Sequence, residues 1–303
     1  MTLIIPPVKP KVIHLTDQMS EIINRTLAVT ASGGLCVWCG RSRIGKTTTA
    51  LYLKDEVERR LASDDLNAFR VGYYAAGPIS KKASNPDRLG IVGLYEGVFG
   101  LAVDRGVALK SSEYLTDMAI DALINRKIRL IAVDEAGKLP PEAIRGMTQV
   151  WDKAQSLEWP LTILFIGMDE LPKNIRRYPQ VRNRVVEWCY LKEYTFEETW
   201  DLLRKFHPYF AALDPLKPGH RAMVEFIFET YGGVPGLILP FVHTFDRRIQ
   251  GYSKTVDVKF LRVIHLATAE EERMIRESQR REYLQRPDRQ KSGEQKSDEE
   301  KVA

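Results

Sequence analysis

The chain has 303 residues, 44% of them hydrophobic, with a formal net charge of +5 and three cysteines. That length gives room for one large domain or two small ones plus appendages, and the composition is that of a chain with a packed core. No apolar run approaches the ~20 residues that span a bilayer, and Met1 to Pro7 lacks the charged start and long apolar stretch of a signal peptide, so a cytoplasmic protein without membrane contact is expected.

Cys36, Cys39 and Cys189 do not suggest a secreted disulfide framework. Cys36 and Cys39 have CxxC spacing, but alternation along a strand sends residues three apart to opposite faces, which argues against a shared metal or a disulfide; all three read as buried strand residues. The mild positive charge permits contact with nucleic acid without establishing it.

In chain order, a Pro-rich arm (Pro6, Pro7, Pro10) leads into a helix from Thr16 or Asp17 to Val29. An apolar strand, Leu35 to Cys39, delivers the run GRSRIGKT, which comprises Gly40, Arg41, Ser42, Arg43, Ile44, Gly45, Lys46 and Thr47. This is a complete GxxxxGK[ST] phosphate loop, and helix-forming residues from Thr48 to Arg60 follow it. A strand, a tight loop of backbone N–H groups and a helix N-terminus are the context in which phosphates are cradled. Gly40 and Gly45 allow close approach, Lys46 places an ammonium against the β- and γ-phosphates, and the Thr47 hydroxyl suits Mg²⁺. ATP and Mg²⁺ are therefore the expected ligands.

A second strand is read at Phe69 to Ala75, then a polar loop from Gly77 to Arg88, then an apolar helical stretch around Ile91 to Val103. The loop offers Lys81, Lys82 and Arg88 among small polar residues, a chemistry that suits the DNA backbone or a solvated surface equally well. The strand Ile128 to Val133 ends in Asp134-Glu135. In this pattern Asp134 holds Mg²⁺, directly or through water, and Glu135 polarises the attacking water. A helix from Pro141 to Gln155, a strand Leu161 to Gly167 and a strand Val185 to Leu191 complete an alternating series, which implies right-handed crossovers, a parallel sheet and ligand at the carboxyl ends of the strands. Trp151 and Trp159 read as core. Thr195 to Glu198 is a capping box that opens a helical region. A charged helix from Ala269 to Arg286 and a polar tail too poor in apolar residues to bury a core end the chain.

GRSRIGKT, LIAVDEAGKL at 130–139, TILFIGMDEL at 162–171, RYPQVRNRV at 177–185 and YGGVPG at 231–236 together resemble the AAA+ ATPases of the DNA-transposition regulator group. These are the TnsC- and TniB-like proteins and, more distantly, phage Mu B protein and IstB. The resemblance covers roughly residues 15 to 265. It implies an α/β P-loop NTPase with a five-stranded, mostly parallel sheet flanked by helices, plus a small helical lid. The expected layout is an arm and helix over 1–30, the ATPase core over 31–194, the lid over 195–268, and a charged helix and disordered tail over 269–303.

The resemblance further implies an ATPase, with fast hydrolysis put in doubt by two departures from the pattern, that forms rings or helical filaments on double-stranded DNA and links target-selection proteins to a transposase. It assigns Lys46, Thr47 and Thr48 to nucleotide, Asp134 to the metal side and Glu135 to catalysis. Arg184, or else Arg182, is the arginine finger reaching a neighbouring subunit. Relatives often have Gly-Thr-Asp where this chain has Gly167-Met168-Asp169, so Asp169 takes the γ-phosphate-sensing role or sensing is weak. Relatives also often have Arg after the lid glycine where this chain has Leu237, so nucleotide retention leans on Lys46 and the neighbour. Two other classes compete: a signalling or defence NTPase switch acting through protein partners, and a helicase-loader-like replication accessory.

Overall fold

In the computed structural model, residues 13–61, 69–77, 85–108, 110–250 and 256–285 are described. Lys81 and Lys82, the proline-rich arm and the polar tail lie outside these residues.

Five strands form one sheet: β1 (Gly34–Gly40), β2 (Arg70–Ala75), β3 (Ile128–Asp134), β4 (Thr162–Gly167) and β5 (Val185–Leu191). Their order is β2-β3-β4-β1-β5, and every pairing is parallel rather than mostly parallel. Burial on both faces explains the near-continuous apolar runs of β1, β3 and β4, while the edge strands β2 and β5 keep exposed residues such as Arg70, Val186 and Tyr190. Strand alternation then divides the core in two. Leu35, Val37, Ile131, Val133, Ile163 and Phe165 enter one hydrophobic cluster. Cys36, Trp38, Leu130, Ala132, Leu164 and Ile166 enter the other, on the opposite face.

Helices α1 (Asp17–Val29), α2 (Lys46–Leu61), α3 (Pro86–Phe99), α4 (Arg105–Ala108), α5 (Ser112–Asn125), α6 (Pro141–Ser156), α7 (Leu171–Arg176) and α8 (Pro179–Arg182) belong to the sheet layer. Thr16 caps α1 by accepting from Met19 N–H at 3.2 Å. The indole N–H of Trp38 donates to Thr26 Oγ1 at 2.8 Å and pins α1 to β1. Helix α3 begins earlier than the sequence suggests, at Pro86 behind its Asn85 cap, and stops at Gly100 in the left-handed conformation. Arg88 consequently lies in the first turn of a helix, not in a loop. Helix α5, where the sequence reading placed no element, buries Leu115, Ala119, Ile120 and Leu123 at helical spacing.

Helices α3 and α6 cross at glycine. A Cβ on Gly90 would lie 2.2 Å from the Ala143 carbonyl oxygen, and one on Gly146 would lie 2.2 Å from that of Asp87. The missing side chains let two backbones touch, and Arg145 pairs with Asp87 across the same crossing.

The remaining helices are α9 (Phe196–Phe206), α10 (Pro208–Ala211), α11 (Pro218–Tyr231), α12 (Pro235–Ile249) and α13 (Val258–Gln285). The capping box at Thr195 and Glu198 has both of its hydrogen bonds. Phe210, Phe241, Phe245, Leu261 and Ile264 anchor a separate helical core. Helix α13 runs without interruption past residue 269: the charged segment is the outer part of a helix whose inner part buries Leu261, Ile264 and Thr268.

All three cysteines are free and buried. Burial pushes the Cys39 thiol up to about 11 and the Cys189 thiol up to about 12, which removes them from thiolate chemistry near neutral pH. Trp151 and Trp159 pack against the first cluster, with the Trp159 indole donating to the Ile128 carbonyl at 3.1 Å.

Candidate nucleotide site between core and lid

Because the strands are parallel, the carboxyl ends of β1, β3 and β4 open at one edge of the sheet. There a cavity of about 780 Å³ runs between the sheet layer and the helical region, a size ordinary for a small-molecule cleft. Part of its wall is polar, with Lys46, Thr47, Thr48, Asp134, Glu135 and Lys138, and part is largely apolar, with Ile13, Met19, Tyr194, Leu202, Phe206 and Leu239 beside His14 and His243.

The phosphate loop brings Ser42, Arg43, Gly45, Lys46, Thr47 and Thr48 to the cavity wall. Its other residues serve the loop itself. Ile44 is fully buried in the second cluster, and Arg41 faces out to Glu193 at 3.6 Å. Gly45 has φ +105°, in the region that disfavours a side chain. The Lys46 ammonium donates to the carbonyls of Gly40 and Arg41, each at 2.7 Å. Burial pulls its pKa below the ordinary value, while Asp134, Asp169 and Glu135 act in the opposite sense.

Asp134 is almost completely buried and accepts three hydrogen bonds. Its Oδ2 accepts from the Thr47 hydroxyl at 2.6 Å and from the Tyr73 hydroxyl at 2.7 Å, and its Oδ1 accepts from the Glu135 backbone N–H at 2.8 Å. A hydroxyl in contact with one carboxylate is a donor set of hard oxygens, which fits Mg²⁺ carried largely by phosphate. Among the described residues no group of three or more His, Cys, Asp or Glu is placed to hold a metal ion. Glu135 adopts the left-handed conformation with φ +57°, exposed at the cavity edge, and its Oε2 lies 3.1 Å from Lys138 Nζ.

Met168 lines the cavity and is 48% exposed, whereas Asp169 is not part of the wall and reaches Lys46 only through its charge. Leu237, in the first turn of α12, packs against the second cluster, so α12 presents no cation at that position. Arg182 and Arg184 lie away from this cavity. Arg184 holds Asp152 through two nitrogens at 2.6 and 3.0 Å and donates to the Gln180 carbonyl. Arg182 reaches Asn183 Oδ1 at 3.3 Å. Arg88 donates to the Lys110 carbonyl at 3.2 Å.

Sequence reading missed Tyr73, the apolar part of the cavity wall and the lid contact made by Arg43. The carbonyl of Arg43 accepts from Gly236 N–H at 3.0 Å, and its guanidinium lies 2.9 Å from Glu272 of α13. A lone Tyr in a strand and a lone Glu in a charged run carry no motif; only their spacing from the sheet edge and the lid reveals them.

The strand order, the loop after β1 and the carboxylates after β3 together decide the fold. It is that of an AAA+ P-loop NTPase. Residues 29–175 match the family model described as AAA domain. No curated protein matches the sequence. Among solved structures, the AAA+ fold of this chain is similar to the ORC2 protein of Aeropyrum pernix in its ADPNP-ADP complexes, with a TM-score of 0.61 at 15% identity over 86% of this chain and 70% of that one. It is similar to Cdc6p of Pyrobaculum aerophilum, with a TM-score of 0.55 at 17% identity over 81% of this chain and 65% of that one. It is also similar to the Aeropyrum pernix ORC1 protein in complex with DNA, with a TM-score of 0.55 at 15% identity over 86% of this chain and 68% of that one.

Proposed function

We propose that this protein is an ATPase that assembles on duplex DNA and regulates DNA transposition, coupling target-site selection to a transposase. The observation that carries the ATPase reading is the meeting of Thr47 and Asp134, 2.6 Å apart, in the wall of a cavity lined by both the sheet layer and the helical region. Lys46 binds the β- and γ-phosphates, leaving the loop carbonyls that now hold it. Thr47 and Asp134 would hold Mg²⁺, and the ion when bound would supply positive charge against that developing on the phosphates. Glu135 orients and polarises the attacking water from the cavity edge. The apolar part of the wall takes the base and sugar, so that core and lid close on one ligand.

The transposition reading rests on the resemblance of the sequence motifs. DNA contact is supported by that resemblance and by the similarity in fold to ORC1, which was solved with DNA. Lys81, Lys82 and Arg88 are the proposed contacts. A trans-acting Arg184, or Arg182, is supported by the placement of both outside the chain's own cavity.

The test is electron microscopy of the purified protein with ATP, Mg²⁺ and duplex DNA. Ordered rings or filaments that require all three are expected. Assembly without DNA, triggered by a protein partner alone, would favour a signalling switch. A second reading, a replication accessory, is supported by the likeness in fold to domain III of the Thermotoga maritima replication initiation protein DnaA. Preference for single strands over duplex in the same preparation would move the assignment to it.

A further inference from the structure

We propose that Tyr73 is a metal-positioning residue: its hydroxyl orients the Asp134 carboxylate so that Asp134 and Thr47 together hold Mg²⁺. The inference rests on the ATPase reading of this cavity and adds to it a residue that belongs to neither phosphate-binding motif.

Parallel pairing of β2 with β3 sets Tyr73 opposite Ala132 and Ala75 opposite Asp134, which brings the phenol alongside the end of β3. Its oxygen stops 2.7 Å from Asp134 Oδ2. A carboxylate oxygen has two lone-pair positions. On Oδ2 both are taken, one by Thr47 and one by Tyr73, while on Oδ1 the Glu135 N–H takes one. One acceptor position on Oδ1 therefore remains for a cation or its water. With the Tyr73 donor removed, the carboxylate keeps Thr47 on Oδ2 and the Glu135 N–H on Oδ1 but loses one of its three anchors, so its rotation about the terminal bond is less restrained. Fixing that rotation is what a hydrogen-bonded partner behind a metal ligand does, and losing such partners costs about 10- to 100-fold in metal affinity.

A purely structural role for Tyr73 is separable from this one. Its ring packs against the second cluster, and Phe keeps the ring while deleting the hydroxyl. Tyr74, the next residue on β2, provides the control, since its ring lies against Gly93 and Gly97 of α3 and packs on the first cluster, whereas Tyr73 packs on the second.

The experiment measures binding of a fluorescent ATP analogue to the full chain, in EDTA and across a Mg²⁺ titration, for the parent, Tyr73→Phe and Tyr74→Phe. Direct Mn²⁺ binding, read by electron paramagnetic resonance in the presence of nucleotide, gives a second measure. The expected result is a half-saturating metal concentration raised about tenfold or more in Tyr73→Phe, with affinity in EDTA equal to that of the parent and with Tyr74→Phe unchanged throughout. Identical metal dependence in Tyr73→Phe and the parent overturns the inference while leaving the nucleotide site standing. An equal loss of affinity with and without metal also overturns it, because that is the signature of packing. A parent that binds no nucleotide overturns the site reading and this inference with it.

Discussion

Arg43 and Glu272 join the phosphate loop to the last helix, with Arg43 Nη1 2.9 Å from Glu272 Oε1. Arg276 approaches the other oxygen of the same carboxylate at 3.1 Å. The hydrogen bond from Arg43, followed by the charges of both arginines, holds the Glu272 carboxyl below its ordinary value of 4.5. A group with a depressed folded-state pKa adds stability that is present above its unfolded value and is lost as pH falls through the folded one. Glu272→Gln should therefore be less stable than the parent at pH 7, and the difference should shrink as pH drops below 4.5. Both partners are partly exposed, so solvent screening limits the difference to about 0.5 kcal/mol. Urea unfolding midpoints of both proteins at pH 7 and pH 4 provide the check, and a gap that widens in acid would show that the pair does not act this way.

Lys46→Ala should weaken ATP binding by about 100-fold or more, since charge-assisted hydrogen bonds of about 1.5–3 kcal/mol each are removed from the phosphates. Glu135→Gln should bind ATP like the parent and release phosphate at a small fraction of its rate, because an amide keeps the shape of the carboxylate but cannot polarise water as it does. Binding titrations and phosphate-release assays on the two variants separate the roles. Equal turnover by Glu135→Gln and the parent would take the catalytic role away from Glu135.

Arg184→Ala should have two independent effects. Loss of the two-nitrogen contact with Asp152 and of the Gln180 carbonyl should cost about 1 kcal/mol in a thermal or urea melt. If Arg184 is the trans finger, the variant should bind ATP, hydrolyse it poorly, and regain activity when mixed with Glu135→Gln subunits, since a mixed interface restores one intact site. Restoration in mixtures with Arg182→Ala, but not with Arg184→Ala, would pass the role to Arg182.

Gly90→Ala and Gly146→Ala should each cost about 2 kcal/mol, because the added methyl meets a backbone carbonyl oxygen that cannot swing aside. Gly219→Ala, at an open position in the first turn of α11, should instead stabilise by about 0.5 kcal/mol by restricting the unfolded chain. Chemical melts of the three variants test whether the α3–α6 crossing depends on backbone contact.

Much of the sheet layer could be read along the chain because its signals are local. The inner strands are largely apolar runs, the edge strands are rich in β-branched and aromatic residues, and the phosphate loop and the Asp134-Glu135 end of β3 are short patterns tied to strand ends. Helix α5 was legible in principle from Leu115, Ala119 and Leu123, but it carries no chemistry to draw attention. The change in composition at residue 269 marks where α13 leaves the helical core, not where a helix begins.

By itself, then, the sequence determined that a parallel sheet delivers a phosphate loop and an acidic strand end to one edge, because alternation and turn chemistry act over a few residues. Only the tertiary structure decided that Tyr73 completes the hydrogen bonds of Asp134, that Glu272 holds Arg43, and that Arg184 is held by Asp152. Those pairs join residues 61, 229 and 32 positions apart, and such contacts follow from how strands and helices pack rather than from any preference carried by the residues alone.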